Sequence, residues 1–351
     1  MSRRSQFFQV MRRETEGYVP FEFTFCDSFY REFQRRTGQN DYRAYYGMPV
    51  RFEMPRYIGK NDHKPFFRDL KDVTVNQWGI GHRKGSLAHF TQIVSPLVHC
   101  QTLEEIREFP FLDALRDYDW DAFADRVREL KAQDLIVYGA MATTIFEVCW
   151  QIRGFEPFMM DLLEGSEIAD YLMDRMLEIR LVMAEQYAKT GCDCLHLGDD
   201  VSTQLDMMMS VPLWRKTLKP RMREIIRHAL DIRPDLLIDY HGDGNLQRII
   251  PDLIEVGVDI LNPVQPECMD PLAIKRQYGD RLSFRGCLGT QTTLPFGTAD
   301  EVRRVCREYI REVGRGGGLM LCPTHMVEPE VPYENFEAYL GALEERNGSL
   351  A

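Results

Sequence analysis

The sequence lacks the apolar segments that mark membrane and secreted proteins. No apolar run reaches the roughly 18–20 residues that a helix needs to span a bilayer. The first eight residues, ending in Phe7 and Phe8, lack the long apolar core of a signal peptide. These absences predict a cytoplasmic protein with no membrane segment.

Paired cysteines and clustered basic residues are also missing. The nine cysteines have no repeating spacing, and only Cys192 and Cys194 lie close together, in a C-x-C pattern that is no redox motif. We therefore expect a reducing compartment. Asp and Glu outnumber Lys and Arg by 54 to 43, and no basic run offsets the formal net charge of -11. This balance argues against a nucleic-acid partner and against an anionic membrane surface.

What remains is the composition of a soluble globular protein. The 351 residues are 44% hydrophobic and 28% charged, enough to bury a substantial core in one large α/β domain or in two domains. Residues 1–125 are irregular and rich in aromatic residues and arginine, and residues 11–37 read as one or two helices. No low-complexity linker follows them. We therefore predict that residues 1–125 form an accessory α/β segment packed on a core formed by residues 126–351.

Six apolar runs of strand length alternate with helical patterns in the second part of the chain. The runs lie at residues 135–139, 194–198, 236–240, 258–262, 282–287 and 318–322. Alternation with connections of this length is typical of a parallel sheet. With less certain strands in the first third, the count favours a (β/α)8 TIM barrel over an open sheet. No Gly-x-Gly-x-x-Gly follows the first of the six runs, so the dinucleotide-binding fold lacks its best marker.

Polar side chains follow five successive strands, at the barrel face where such folds place their chemistry. These residues are Asp199 and Asp200, His241 and Asp243, Asn262 and Gln265, Cys287 and Gln291, and Cys322 and His325. We interpret Asn262, Gln265, Gln291 and Cys287 as substrate-binding. For Cys287, a small buried core thiol is the competing interpretation.

Two imidazoles and a carboxylate form the most specific candidate site among these residues. His241, Asp243 and His325 would give a metal ion three protein ligands and leave room for a substrate. His-x-Asp on an extended segment points both side chains to one side. Cys322 could replace one of these ligands, or it could be an inward-facing core thiol. In the alternative interpretation, Asp243 caps the next helix or orients His241, and His325 acts alone as a hydrogen-bond donor to substrate.

The adjacent carboxylates Asp199 and Asp200 form a second candidate. Both cannot face the pocket from one strand, so we expect one to point inward and the other to cap a helix or pair with a basic residue. An inward carboxylate could donate a proton or bind a polar group of the substrate. Glu147 lies on a helix after the first clear strand and could reach the barrel mouth, but we expect it to be exposed to solvent. Six histidines without a partner at useful spacing are interpreted as structural: His63, His82, His89, His99, His196 and His228.

Five tracts together carry a resemblance to a known superfamily. They are residues 198–204, 241–244, 250–265, 289–298 and 322–325. In order and spacing they resemble the uroporphyrinogen decarboxylase superfamily, over roughly residues 135–345. The resemblance implies a (β/α)8 barrel. It also implies one of two chemistries, namely metal-free decarboxylation of a tetrapyrrole or zinc-dependent methyl transfer involving cobalamin.

This sequence departs from the motifs of both branches of the superfamily, and these departures favour methyl transfer. The arginine-rich N-terminal motif of true decarboxylases is absent. In the methyltransferase branch, zinc is held by a His-x-Cys pair and a further cysteine; here His241 matches the histidine, while Asp243 and His325 stand where the cysteines are. His325 also matches a histidine of the decarboxylases. Carboxylate and imidazole ligands in place of thiolates make the metal site harder in the Lewis acid–base sense.

The resemblance therefore predicts a methyltransferase that uses Zn²⁺ or another divalent metal. It would move a methyl group from a small O- or N-methyl donor to a corrinoid on a partner protein, with Asp199, Asp200, His241 and His325 as catalytic groups. One alternative is a decarboxylase without a metal, in which Asp199 or Asp200 binds pyrrole nitrogens. Another is a corrinoid- or ligand-binding protein without chemistry of its own. A homodimer is compatible with each of these interpretations.

Overall fold

Ten strands and fourteen helices make up the described part of the chain, which in this computed structural model comprises residues 2–67, 72–85 and 91–348. The strands are β1 Val50–Glu53, β2 Val73–Val75, β3 Gly81–Lys84, β4 Thr91–Val94, β5 Ile136–Ala142, β6 Cys194–Gly198, β7 Leu237–His241, β8 Ile260–Asn262, β9 Ser283–Leu288 and β10 Leu319–Pro323. The helices are α1 Arg3–Met11, α2 Asp27–Thr37, α3 Tyr42–Tyr45, α4 Leu103–Arg107, α5 Trp120–Ala132, α6 Phe146–Arg153, α7 Phe155–Glu164, α8 Glu167–Thr190, α9 Val211–Ile232, α10 Ile250–Val256, α11 Pro271–Tyr278, α12 Thr293–Phe296, α13 Ala299–Glu312 and α14 Tyr333–Asn347.

Seven parallel strands in the order β1-β5-β6-β7-β8-β9-β10 form the main sheet. An extended segment lies beside β10, where Phe21 bridges Leu321 in parallel, and gives the sheet an eighth pass of the chain. The sheet curls on itself as a (β/α)8 TIM barrel, as the sequence predicts. A separate antiparallel sheet, β2-β3-β4, lies outside the barrel order.

Side chains from six strands meet inside the barrel. Val50, Ile136, Tyr138, Cys194, Leu237, Ile260, Met320 and Cys322 pack together with Phe7, Val10 and Met11 of α1, which plugs the end opposite the carboxyl ends of the strands. The residues between them along each strand, such as Val137 and Leu321, pack outward against the helices. Period-two alternation on strands buried on both faces produces this division.

The prediction that residues 11–37 are helical is wrong for the first part of that stretch. The helix α2 begins only at Asp27, and the chain before it is extended as far as the Phe25 bridge to Val327. Val19, Phe21, Phe23 and Phe25 are all buried, whereas Glu22 and Thr24 between them line a cavity at the barrel mouth. This alternation is the period of a strand.

The first third of the chain contributes to the sheet as well as packing on it. Val50 of β1 pairs in parallel with Ile136 of β5, so one barrel strand comes from before residue 125. The division into residues 1–125 and 126–351 stays a prediction. None of the described helices combines the length and the apolar composition needed to cross a membrane.

Candidate functional site

The strand register aligns two predicted site residues, His241 and Asn262, with Gly198 at the carboxyl ends of neighbouring strands. Gly198 at the end of β6 pairs with His241 at the end of β7, and His241 pairs with Asn262 at the end of β8. Leu237 and His241 on β7 face the barrel interior, because residues spaced by two point to the same side of a strand. The barrel mouth is therefore built on a row that runs across β6, β7 and β8.

Gly198 allows β6 and β7 to meet closely at this row. Its φ of +146° suits glycine, and a Cβ atom at this position would lie 1.8 Å from the backbone oxygen of His241. Any side chain here would separate the two strand ends. The chain then turns, and the two carboxylates that follow diverge.

Asp199 turns away from the mouth and caps a helix. Its carboxylate accepts hydrogen bonds from the backbone N–H of Ile145, at 3.1 and 3.0 Å, and from that of Glu147 at 2.9 Å, at the start of α6. Burial raises the pKa of Asp199 to about 6, against the effect of these hydrogen bonds. The structure therefore places Asp199 as a structural cap and Asp200 as the carboxylate at the mouth.

Asp200, His241 and Asp243 form a cluster that could hold a metal ion. One ligand atom from each residue lies within 4.8 Å of the others, and all three side chains are half-buried. The Nε2 atom of His241 lies 3.8 Å from Oδ1 of Asp200. The backbone N–H of Asp243 donates to the same Oδ1 at 2.7 Å, which fixes the two loops relative to each other.

Asn262 orients His241 for metal binding. Its Nδ2 donates to the backbone oxygen of Arg285 at 2.8 Å, so its Oδ1 is the atom that faces Nδ1 of His241 at 2.6 Å. An amide oxygen only accepts, so Nδ1 carries the proton and Nε2 presents its lone pair towards Asp200. Such a partner on the second ring nitrogen is the usual companion of a metal-bound histidine. Asn262 thus acts on His241, besides lining the cavity as the sequence predicts.

The charge of this cluster fits a cation. Glu147 is half-buried beside it and accepts from the backbone N–H of Asp200 at 3.0 Å, so the prediction that it is exposed is wrong. Burial, together with the charges of Asp199 and Asp200, raises the pKa of Glu147 to about 9. Burial also raises the pKa of Asp243. Crowded carboxylates beside one imidazole are stabilised when a divalent ion binds among them.

A second polar network lies deeper in the barrel, and the sequence analysis missed it. Asp239 on β7 accepts from Nε and Nη2 of Arg285 at 3.1 and 2.9 Å, and its Oδ2 lies 2.5 Å from Nδ1 of His196. Nη1 of Arg285 donates to Glu22 at 3.0 Å. The interpretation of His196 as a histidine without a partner is therefore wrong. The available signal was a charged residue inside an apolar strand: Asp239 in β7 and Arg285 in β9.

Two cavities meet at the mouth. The inner cavity, of about 270 Å³, reaches down to His196 and Arg285 and includes His241 and Asn262 in its wall. The outer groove, of about 510 Å³, is lined by Asp243, Gln265 and Gln291 among others. Thr324 and His325 line both. The candidate metal cluster thus lies where the inner cavity opens into the groove.

His325, Gln265 and Gln291 lie at the mouth but outside the three-residue cluster. His325 is exposed between the two cavities. Gln265 accepts from the backbone N–H of Gly244 at 3.3 Å, and Gln291 accepts from Nε2 of Gln204 at 2.8 Å. These two glutamines hold the loops of the outer groove.

The structure places neither predicted cysteine at the mouth. Gly286 and Cys287 both have left-handed φ values, +122° and +71°, which interrupt the strand alternation. Cys287 is fully buried, and the nearest charge that affects its thiol is that of Lys275 on the outer helix α11. Cys322 points inward but packs in the apolar barrel core, where burial raises its pKa and keeps the thiol neutral.

The remaining histidines stay away from the mouth where they are described. His63 contacts the backbone oxygen of Pro110, and His228 lies 3.3 Å from Glu185. His82 contacts Asn76. His89 lies outside the described residues.

Comparison with known proteins agrees with this architecture. The family model for uroporphyrinogen decarboxylase (URO-D) matches residues 89–346. Among solved structures, a methyltransferase from Methanosarcina mazei superposes with a TM-score of 0.71 at 15% sequence identity, covering 98% of this chain and 99% of that chain. A B12-independent methionine synthase from Shewanella sp. W3-18-1 matches with a TM-score of 0.46 at 11% identity, covering 95% of each chain. No curated protein matches the sequence.

The match to the Methanosarcina mazei structure has low sequence identity and therefore establishes the fold alone. The family model, in contrast, spans most of the sequence, including the ends of β5 to β10 at the barrel mouth. The chain therefore belongs to the uroporphyrinogen decarboxylase (URO-D) family.

Proposed function

We propose that this protein is a metal-dependent methyltransferase that moves a methyl group from a small O- or N-methyl donor to a corrinoid carried by a partner protein. The observation that carries the proposal is the cluster of Asp200, His241 and Asp243 beside the inner cavity. The Methanosarcina mazei protein with the same fold is itself a methyltransferase, which favours this branch of the family.

The donor set of the cluster fits a divalent cation such as Zn²⁺. Two carboxylates and one imidazole take the place of the thiolates expected from the methyltransferase branch. Asp243 is a candidate ligand at the predicted position. Asp200, and not His325, shares the 4.8 Å cluster with His241 and Asp243, so Asp200 would be the third ligand. His325 stands over both cavities, where it can contact a bound donor.

A divalent ion held by these three residues would supply Lewis acidity towards the oxygen or nitrogen that carries the methyl group. In the overall transfer, the bond between that heteroatom and the methyl carbon would break. The reduced corrinoid on the partner protein would be the methyl acceptor and would supply the electron pair of the new bond to carbon. The heteroatom keeps the bonding pair and takes a proton, so the products are the demethylated alcohol or amine and the methylated corrinoid.

The size of the inner cavity favours a small donor over a tetrapyrrole. Its volume of about 270 Å³ lies just below the range of roughly 300–1,000 Å³ that is typical of pockets for drug-sized ligands. A tetrapyrrole with its carboxylate side chains is larger than such ligands. Asp199, moreover, is engaged with the start of α6 and does not face the cavity.

Metal analysis of protein purified without chelators tests the proposal. We expect about one divalent ion per chain, lost in His241→Ala and retained in His228→Ala, which removes a histidine paired with Glu185 far from the mouth. Methyl transfer from a panel of O- and N-methyl donors to free cob(I)alamin should follow the metal content. A metal-free protein with unchanged activity contradicts the proposal, and so does carboxylate release from uroporphyrinogen. Corrinoid binding without transfer from any donor would indicate a binding protein.

A further inference from the structure

His196 presents an unused hydrogen-bond acceptor to the inner cavity. Asp239 is the carboxylate of an ion pair, in which Nε and Nη2 of Arg285 donate to it at 3.1 and 2.9 Å. A carboxylate only accepts hydrogen bonds, so Nδ1 of His196, 2.5 Å away, carries the proton. The guanidinium of Arg285, whose Nη2 lies 3.3 Å from the same Nδ1, disfavours a second positive charge on the ring, so Nε2 is left as an acceptor.

Nothing in the described part of the chain binds this Nε2 atom. Both polar contacts of the His196 ring are at Nδ1: it donates to Asp239, and Nη2 of Arg285, itself a donor, lies 3.3 Å away with no lone pair there to bind. The residue is 9% exposed, and the open space beside it is the inner cavity. Its ring plane is fixed from two sides, by Asp239 and by an edge-on contact with Phe52 at 5.1 Å between centroids. Such an acceptor, held in place at the cavity wall, is available to a donor group of a bound ligand.

The rest of the cavity explains which part of a ligand would reach His196. Val50, Phe52 and Met326 give the wall a substantial apolar area. His241 lies next to His196 on the neighbouring strand, with its ring centroid 5.9 Å from that of His196. A small molecule whose methyl-bearing atom approaches the metal cluster therefore brings a polar group adjacent to that atom within reach of His196.

We infer that His196 is a specificity-determining residue, whose Nε2 accepts a hydrogen bond from a hydroxyl or N–H group of the methyl donor. The inference rests on the proposed function and narrows its substrate class. The donor would be a small methyl ether or methylamine that carries a second, hydrogen-bond-donating group. Fully methylated analogues leave Nε2 unpaired and bind more weakly. The difference is large because sites built around a hydrogen bond reject ligands that lack it.

Two probes that differ in one hydroxyl group test this inference. We would measure the binding of 2-methoxyphenol and of 1,2-dimethoxybenzene to the metal-loaded full-length protein by calorimetry or ligand-observed NMR. We expect 2-methoxyphenol to bind at least about tenfold more tightly. Equal affinities, or no binding of either probe, would overturn the inference.

Two substitutions of His196 separate recognition from a structural role. His196→Asn keeps an N–H for Asp239 but removes the acceptor at the Nε2 position, whereas His196→Gln places an amide oxygen near that position and weakens the Asp239 contact. Recognition predicts that the preference for the hydroxyl probe is lost in His196→Asn and partly kept in His196→Gln. If His196 has only a structural role, His196→Gln should be affected more strongly than His196→Asn, because it weakens the Asp239 contact. Thermal unfolding of both variants would then show the lower stability of His196→Gln.

Metal content distinguishes this inference from the proposed function. Both His196 variants should keep the metal of the unmodified protein, and the matched exchange His228→Asn should change neither metal nor probe binding. A protein that purifies without metal but still prefers 2-methoxyphenol refutes the methyltransferase and leaves the role of His196 standing. A metal-loaded protein without the preference refutes the role of His196 alone.

Discussion

The barrel mouth contains two polar clusters, one below the other, that differ in how their charges are balanced. In the inner network, the guanidinium of Arg285 lies between the carboxylates of Asp239 and Glu22, and Asp239 also binds His196. The outer cluster brings Glu147, Asp200 and Asp243 together with a single imidazole, that of His241. The inner network contains a cation, the guanidinium of Arg285, whereas the outer cluster has three carboxyl groups and only one imidazole.

This difference indicates which cluster is built to bind something charged. Buried ion pairs are stable when every partner is present, and the inner network meets that condition. In the outer cluster, burial and like charge raise the pKa of Glu147 and favour its protonated form. A divalent ion is the group that would complete it. The inner network then serves as a rigid floor, from which Nε2 of His196 faces the cavity as an acceptor.

The largest effect should come from the same substitution made in each cluster. Asp239→Asn leaves Arg285 and His196 without their carboxylate, and breaking such a buried pair costs about 3–5 kcal/mol of unfolding free energy. Asp243→Asn in metal-free protein removes a repelling charge, so its effect should be close to zero or stabilising. Urea unfolding in the presence of a chelator measures both. Equal losses in the two variants would show that the clusters do not differ in the way described.

A smaller effect, on metal affinity, should follow when Asn262, which connects the two clusters, is replaced. Asn262 contacts His241 on one side and the backbone oxygen of Arg285 on the other. Loss of a partner that orients a metal ligand typically weakens metal affinity by about 10–100-fold, and we expect this range for Asn262→Ala. Competition with a chromogenic chelator measures the affinity. Gln291→Ala, at the exposed rim of the outer groove, is the control and should bind metal normally.

The smallest effect concerns the protonation of Glu147. Its pKa of about 9 in the folded protein exceeds the ordinary carboxyl value of 4.5, so protonation stabilises the fold fully below pH 4.5. That stability is lost as the pH rises from 4.5 through 9. Glu147→Gln keeps an acceptor for the N–H of Asp200 and carries no proton to lose.

Metal-free Glu147→Gln should therefore be more stable than the unmodified protein at pH 8, by about 1 kcal/mol after allowance for partial solvent exposure. The difference should shrink towards pH 5 and can be followed by thermal unfolding at a series of pH values in chelator. A gap that stays constant with pH would mean that Glu147 is ionised throughout, and the outer cluster would not lack a cation.

The sequence was most informative where strands are apolar on both faces. Four of the six predicted runs, at residues 194–198, 236–240, 282–287 and 318–322, coincide with strands to within about one residue at each end. The segment around Phe21 was misread because charged residues between the aromatic ones resemble an amphipathic helix. Its period of two, visible in Val19, Phe21, Phe23 and Phe25, was the correct signal.

The candidate site was predicted in its residue types and in only part of its geometry. His241 and Asp243 were paired correctly on one side of an extended segment, because alternate residues point the same way. The exchange of His325 for Asp200 as the third member depends on loop geometry after β6. Cys287 was misplaced because consecutive left-handed residues reverse the side on which it lies.

The sequence by itself determined the barrel, the family and the row of polar residues at the strand ends, because hydrophobic periodicity and local motifs are properties of short segments. Only the tertiary structure decided that Asp199 caps α6 while Asp200 faces His241, and that His196 binds Asp239 on the neighbouring strand. Those contacts join residues 40 or more positions apart. The register of parallel strands sets them, and no short segment of the sequence encodes that register.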